Sequence, residues 1–402
     1  MMAGGWRRLL EEESEHQWLT LSFFIVFVVI GALAINATEH FVGDRVAEPD
    51  GMLKDAFVTE IEYGANSGDY TALVYSSTGG HQMLQNSGNS DNTALVLSQE
   101  DAEKVNFLKT TENGEVYFSI VENQLISVDA VGVLTYNNFT NTKGNFTVLD
   151  AASSGGTTAF SGLMLTGENT NTSFRGVHNG IPTHPMSTSS GTHWTHLAWF
   201  SDGLWVAIGL EASAVGEDGS SPATPKSNPV LGWIAWDGGQ DTPELKSSVI
   251  DFDAGVFHSF ARAGGHLIVG GTVESLIVSS EREIERLDLP SALVVGDKEG
   301  TAWFIGPIGA ENLATYSNGQ TTVHQLSRPI PVDVVDAGAV DSHVYVHGTD
   351  AEGQPIQWSI DITMDGSIES GRGFLNLLFL LVGSILIAMM LWHAAEQLRG
   401  SN

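Results

Sequence analysis

One hairpin outline recurs through the middle of this 402-residue chain and limits its architecture more than any other feature. A short apolar strand, a turn bearing Gly or Asn and a second apolar strand appear at residues 71–84, 105–121, 159–177, 196–210, 258–271, 291–306 and 333–348. A second hairpin often follows, at Leu125–Tyr136, Leu231–Leu245, Leu276–Leu287 and Ala314–Leu326. Two hairpins make four antiparallel strands, and the units begin about 33 to 62 residues apart. Almost no 3.6-residue periodicity is sustained between residues 41 and 370, so β-structure is expected throughout that stretch.

Four-stranded units at this spacing resemble the β-propeller superfamily, in the loose manner of kelch, WD40-like and Asp-box propellers. The resemblance covers most of residues 55–368. No single fingerprint is complete: a repeated Gly-His/Trp-Asp pair is absent, and Ser127-Val-Asp129-Ala-Val-Gly132 is a degenerate Asp-box. The resemblance implies an all-β domain of about seven four-stranded blades. Six or eight blades, or a pair of β-sandwiches, are the alternatives. In a propeller Trp199, Trp205, Trp233, Trp236 and Trp303 would fill blade interfaces rather than stack on sugars, and residues 178–195 and 212–229 would be long loops.

Two uncharged apolar segments flank this domain, Trp18 to Ile35 and Phe374 to Trp392. Eighteen helical residues rise about 27 Å, close to the hydrocarbon thickness of a bilayer. Transmembrane helices are therefore expected at 18–36 and 374–393, with cytoplasmic segments at 1–17 and 394–402, a linker at 37–54 and the propeller at 55–368. A cleaved signal peptide is the alternative for the first segment, because Ala32-Leu33-Ala34 resembles a peptidase site. Arg7 and Arg8 place the N-terminus in the cytoplasm, and two spans return the C-terminus there. The central domain is then extracellular, with glycosylation candidates at Asn138, Asn145 and Asn171. Gly383 and Ser384 offer a small-residue face for helix contact, with the Gly31-Ala32 region as a natural partner.

The chain carries 17 Lys and Arg against 48 Asp and Glu, a formal net charge of -31. Such a field repels phosphate, so nucleic acid is not expected as a partner. The chain has no cysteine, which excludes disulfides, a thiolate nucleophile and thiolate metal sites. That absence also favours a prokaryotic origin.

Candidate chemistry is sparse. His178, His184, His193 and His196 fall close together, and His193, His196 and Asp202 are the candidate ligands for a divalent cation. His343 and His347 share one face of an expected strand, and His258 and His266 flank a turn. Asp251/Asp253 and Asp333/Asp336 are the carboxylate pairs a glycosidase would need. An arginine triad of the sialidase type would have to come from Arg45, Arg175, Arg262, Arg282, Arg286 and Arg328, with Arg372 beside the second apolar segment. No nucleophile elbow, phosphate loop or zinc-protease motif is present, so neither catalytic residues nor a required cofactor are expected. The reading that fits is a cell-surface scaffold binding a protein or glycan outside the cell. An accessory subunit of a membrane export or assembly complex, docked on other membrane subunits, and an extracellular glycan hydrolase or lyase are the alternatives.

Overall fold

The computed structural model describes residues 24–31, most of 43–361, residues 378–385, and residues 387 and 392. Within 43–361 the longest stretches outside the description are 48–52, 87–93, 140–144, 187–191 and 213–226.

Among the described residues the strands form seven four-stranded sheets. Strands a to d are lettered here from the axis outwards. Strand a is Phe57–Tyr63 in blade 1, Lys109–Thr110 in blade 2, Phe146–Ser154 in blade 3 and Thr192–Ser201 in blade 4. It is Phe257–Ala263 in blade 5, Leu293–Gly296 in blade 6 and Asp333–Val340 in blade 7. These seven strands touch one another in order, and that of blade 7 returns to that of blade 1. The domain is a seven-bladed propeller.

Blade 7 is built from both ends of the domain. Its strands a to c come from residues 333–361, and its strand d is Gly43–Ala47. That strand lies within the stretch read from sequence as a linker. The seven hairpins seen in the sequence fall one in each blade, as b–c pairs in blades 1 and 3 and as a–b pairs elsewhere. Of the two expected long loops, 178–195 contains strand d of blade 3 (Ile181–Pro182) and the start of strand a of blade 4. Most of 212–229 is outside the described residues.

The core is spread through the seams between blades. Trp194, Trp205, Trp236, Phe174 and Met186 are buried together between blades 3 and 4. Val206, Trp233, Phe257 and Leu276 are buried between blades 4 and 5, and Phe107, Phe146 and Phe160 between blades 2 and 3. Each such side chain contributes about 1.5–3 kcal/mol when removed from water. Trp205, Trp233, Trp236 and Trp303 are buried and Trp199 packs against the blade 3–4 core, as a propeller reading requires.

Turn chemistry follows one local rule. In Asp129-x-x-Gly132, Asp297-x-x-Gly300 and Asp350-x-x-Gly353 the carboxylate accepts backbone N–H groups two and four residues on. The glycine has φ between 77° and 86°, open to glycine at no steric cost. The three turns are c–d, a–b and b–c turns respectively. Asp129 thus belongs to a general turn motif and not to an Asp-box recurring at one blade position.

The described residues of the apolar segments belong to a compact unit separate from the propeller. Residues 24–31 and 378–385 are helical. Phe27 stacks on Phe379 with centroids 5.4 Å apart, and a Cβ on Gly31 would lie 2.1 Å from the Phe379 ring. Gly31 is therefore a contact residue as expected, but its partner is Phe379; a Cβ on Gly383 would meet nothing within 4 Å. Among the described residues no helix is long and apolar enough to cross a membrane. Eight residues rise about 12 Å, well short of the hydrocarbon thickness. The expected spans at 18–36 and 374–393 are therefore not shown, and much of both lies outside the described residues.

A Cβ added to Gly176 in blade 3 would lie 2.0 Å from the Trp236 ring of blade 4. Gly176→Ala should destabilise the domain by about 1–3 kcal/mol, through overpacking of this seam. Urea unfolding monitored by tryptophan fluorescence gives the value.

Candidate functional site: the axial ring of charges

An innermost strand has no strand partner on the side facing the axis, so its inward N–H groups need other acceptors. In blades 1, 3, 4, 5 and 7 the a–b pairing contains a bulge: Val58/Glu60, Val148/Asp150, Trp194/His196, Phe257/Ser259 and Val334/Asp336 bracket the extra residue. A bulge bends its strand and re-aims the side chain that follows. In four of these blades that side chain accepts an N–H from the inner strand of the next blade or from the residue just before it. Asp336 accepts from Ile61 at 2.7 Å, Asp150 from Leu197 at 2.6 Å and Ser259 from Val294 at 3.0 Å. Glu60 accepts from Leu108. Where the acceptor is an ionised carboxylate, such a bond is about twice as strong as a neutral one.

Two of the three remaining seams are joined by other side chains. Between blades 2 and 3, Asn123 exchanges two bonds with the Phe146 backbone and has a left-handed φ of 57°. Between blades 4 and 5, the Arg262 guanidinium lies 4.5 Å over the Trp199 ring and donates to the Trp199 and Phe200 carbonyls.

These residues bring charge together across blades. Glu60, Glu62, Asp150, Asp336 and Lys109 form one electrostatic network, though they come from blades 1, 2, 3 and 7. Burial, with repulsion from Asp336 next, lifts Glu60 to about 8. Burial, with Glu62 adding to it, lifts Asp336 to about 7 even though the Ile61 and Ala337 N–H groups favour its charged form. Burial also raises Glu62, opposed by Lys109. For Lys109, burial pulls downwards, but the carboxylates led by Glu62 outweigh it and its pKa stands above the ordinary value. Lys109 is thus the resident counter-ion of the ring.

His196, whose Nδ1 is 3.9 Å from Asp150, is held below its usual pKa by burial, against the attraction of Asp150. Burial likewise lowers His258. Its Nε2 donates to the Ser291 carbonyl at 2.9 Å, so Nδ1 accepts from the Ser259 hydroxyl at 3.0 Å, leaving the Ser259 oxygen free to receive Val294 N–H. In the seam between blades 7 and 1, His347 is buried, bonded to the Tyr63 hydroxyl at 2.6 Å and lowered to about 4 by burial. His343 and His347 share one strand face, as the spacing suggests, and stack with Tyr345 and Tyr63 in one run of rings.

The four clustered histidines are separated. His178 bonds to the Gly238 carbonyl, His184 and His193 are exposed, and His196 lies in the ring. Asp202 is exposed in the turn beyond the end of the His193/His196 strand, about 20 Å along from His196. Among the described residues no three His, Asp or Glu groups are placed to hold a metal ion. Asp251 and Asp253 lie outside the described residues; Asp333 is exposed, whereas Asp336 belongs to the ring. Arg175 is buried over the Phe146 ring in blade 3, while Arg286 pairs with Glu274 in blade 5, so these arginines and Arg262 do not converge. Asn138 and Asn145 are exposed; Asn171 lies on strand c of blade 3.

The ring itself escaped sequence reading. Glu60, Glu62, Lys109 and Asp150 are lone residues on separate repeats. A usable signal exists: Glu60-Ile61, Asp150-Ala151, His196-Leu197, Ser259-Phe260 and Asp336-Ala337 each put a polar residue before an apolar one at the same blade position.

No family model matches this chain, and no curated protein matches it. Solved structures do. A chain of a mitotic checkpoint complex is 12% identical with a TM-score of 0.52, over 80% of this chain and 96% of that one. A puromycin-hydrolysing peptidase of Mycobacterium tuberculosis is 11% identical with a TM-score of 0.51, over 75% of this chain and 52% of that one. The β-propeller domain of the Trilobed protease from Pyrococcus furiosus is 10% identical with a TM-score of 0.49, over 77% and 94%.

Stability should respond to the ring with a definite sign. Glu60 moves from 4.5 to about 8 on folding, so the native state keeps a proton the unfolded chain releases. The stability this gives is complete below about 4.5 and is lost as pH rises through about 8. Unfolding free energy should fall between about pH 4.5 and 8, and Glu60→Gln should flatten that slope. Lys109→Met should steepen it, since the remaining carboxylates lose their counter-charge. Denaturant titrations across this range decide it. At this identity the likeness to solved structures is to the propeller fold alone.

Proposed function

We propose that this chain is a membrane-anchored, cell-surface scaffold that presents its propeller to a protein or glycan partner. The observation that carries the anchoring is the surface of the two helical stretches. Residues 24–31 and 378–385 contain no charged side chain. Ile25, Val26, Val29, Ile30, Leu380 and Leu381 are more than half exposed, while Phe27 and Phe379 face each other. A pair of helices with apolar surface turned outwards is stable only where its surroundings are apolar too. The wider uncharged segments around them, 18–35 and 374–392, have the length of a bilayer crossing.

Binding by the propeller is supported by the state of its axis. The bulge-following carboxylates are committed to seam N–H groups, and Lys109 to the carboxylates. Recognition then falls to the loops. Both termini would be cytoplasmic and the propeller outside.

Membranes from cells expressing the full chain should retain it through alkaline carbonate washing and release it in detergent. Protease added to intact cells should remove the propeller and leave the tails. Release by carbonate alone would contradict the anchoring.

A further inference from the structure

The two ends of the propeller expose different surfaces. The a–b, b–c and c–d pairings described for the blades are antiparallel, so the a–b and c–d turns lie at one end. The b–c turns and the blade-to-blade connections lie at the other. Among the described residues, the turns of the first end expose large apolar side chains at Val131 and Val133, both in one turn of blade 2, and Leu95 and Ile181 are exposed on the outermost strands of blades 1 and 3.

The second end carries an arc over three consecutive blades. Ile250 and Val256 lie before blade 5, Val273 in its b–c turn, Ile308 in that of blade 6, and Val335 is the bulged residue of blade 7. All are between 40% and 48% exposed. Val256 and Val273 are held side by side, since Thr272 N donates to the Val256 carbonyl at 3.0 Å and Val256 N to the Thr272 hydroxyl at 3.0 Å. Val335 is turned outwards by the same bulge that aims Asp336 at blade 1. The arc thus puts an exposed aliphatic side chain at the same end of three neighbouring blades, in turns or at the start of an inner strand.

Charge identifies the occupant. Asp288, Glu311 and Asp333 are exposed along the same arc. Of the cations nearby, Arg286 is engaged by Glu274 at 3.7 Å, which leaves Arg328 against three carboxylates. A second copy of this chain, itself at -31, would be repelled. We infer that this arc docks a protein segment that carries aliphatic side chains interleaved with Lys or Arg. This rests on the scaffold reading and adds to it a face and a partner chemistry.

The test uses the full chain in its own membranes, with a photo-crosslinking residue placed at Ile308 or, on the opposite end, at Val131. Position 308 should capture a protein through a segment bearing Lys or Arg, and position 131 should not. With that protein purified, Val273→Ser and Asp333→Lys should each weaken binding about tenfold while the thermal midpoint stays put. Binding should also weaken between 0.05 and 0.3 M salt. Capture at 131 alone would overturn the choice of face and leave the scaffold reading standing. Adducts at 308 with a second copy, an acidic protein, glycan or lipid, or unchanged affinity in the variants, would overturn the partner. No adduct at either position would count against both.

Discussion

A ring of seven sheets has to be closed, and here closure depends on a five-residue strand, Gly43–Ala47, completing the sheet that Asp333–Asp361 begins. No covalent staple is available, because the chain has no cysteine. Closure is therefore a matter of backbone bonding in blade 7 and of the seam between blades 7 and 1. That seam is densely joined: Asp336 reaches Ile61 N–H, Tyr63 reaches His347, and Tyr63 also packs against Gly338, where a Cβ would lie 2.3 Å from its ring. The strand that closes the ring follows the first apolar segment in the chain, and its sheet neighbour precedes the second. The chain therefore enters and leaves the propeller at adjacent strands of one blade.

The bulge is the device that links backbone geometry to the charged ring. It costs a ladder bond in its own sheet and re-aims one polar side chain towards the next blade. Burying carboxylates near the axis, and secondarily crowding them there, carries an electrostatic penalty, visible in the raised pKa values of Glu60, Glu62 and Asp336. Lys109 offsets part of it, and protonation near neutral pH can offset more. A ring consumed in this way is a structural element first, which is why the loops are the better place to look for recognition.

Much of the fold was legible because the b strands and most c strands are buried on both faces and read as apolar runs. Tyr70–Ser76 and His266–Gly271 are examples. The inner strands of blades 1 and 3 were not legible. Phe57–Tyr63 and Phe146–Ser154 mix Glu60, Glu62 and Asp150 with apolar residues, and the bulge breaks their alternation. The closing strand GDRVA and the two-residue Ile181–Pro182 are too short to show a period. For the site, Asp336 drew notice only through its sequence neighbour Asp333, whereas its actual companions are Glu60 and Glu62, some 275 residues away in the chain. Only ring closure brings them together.

Hydrogen exchange on the full-length protein tests the closure most directly. The account expects the sheet-facing amides within Gly43–Ala47 to be protected as strongly as those of Pro355–Asp361, because one cooperative blade holds both. Exchange of residues 43–47 at the rate of an unstructured linker, beside a protected 355–361, would mean that the ring is not closed by this strand.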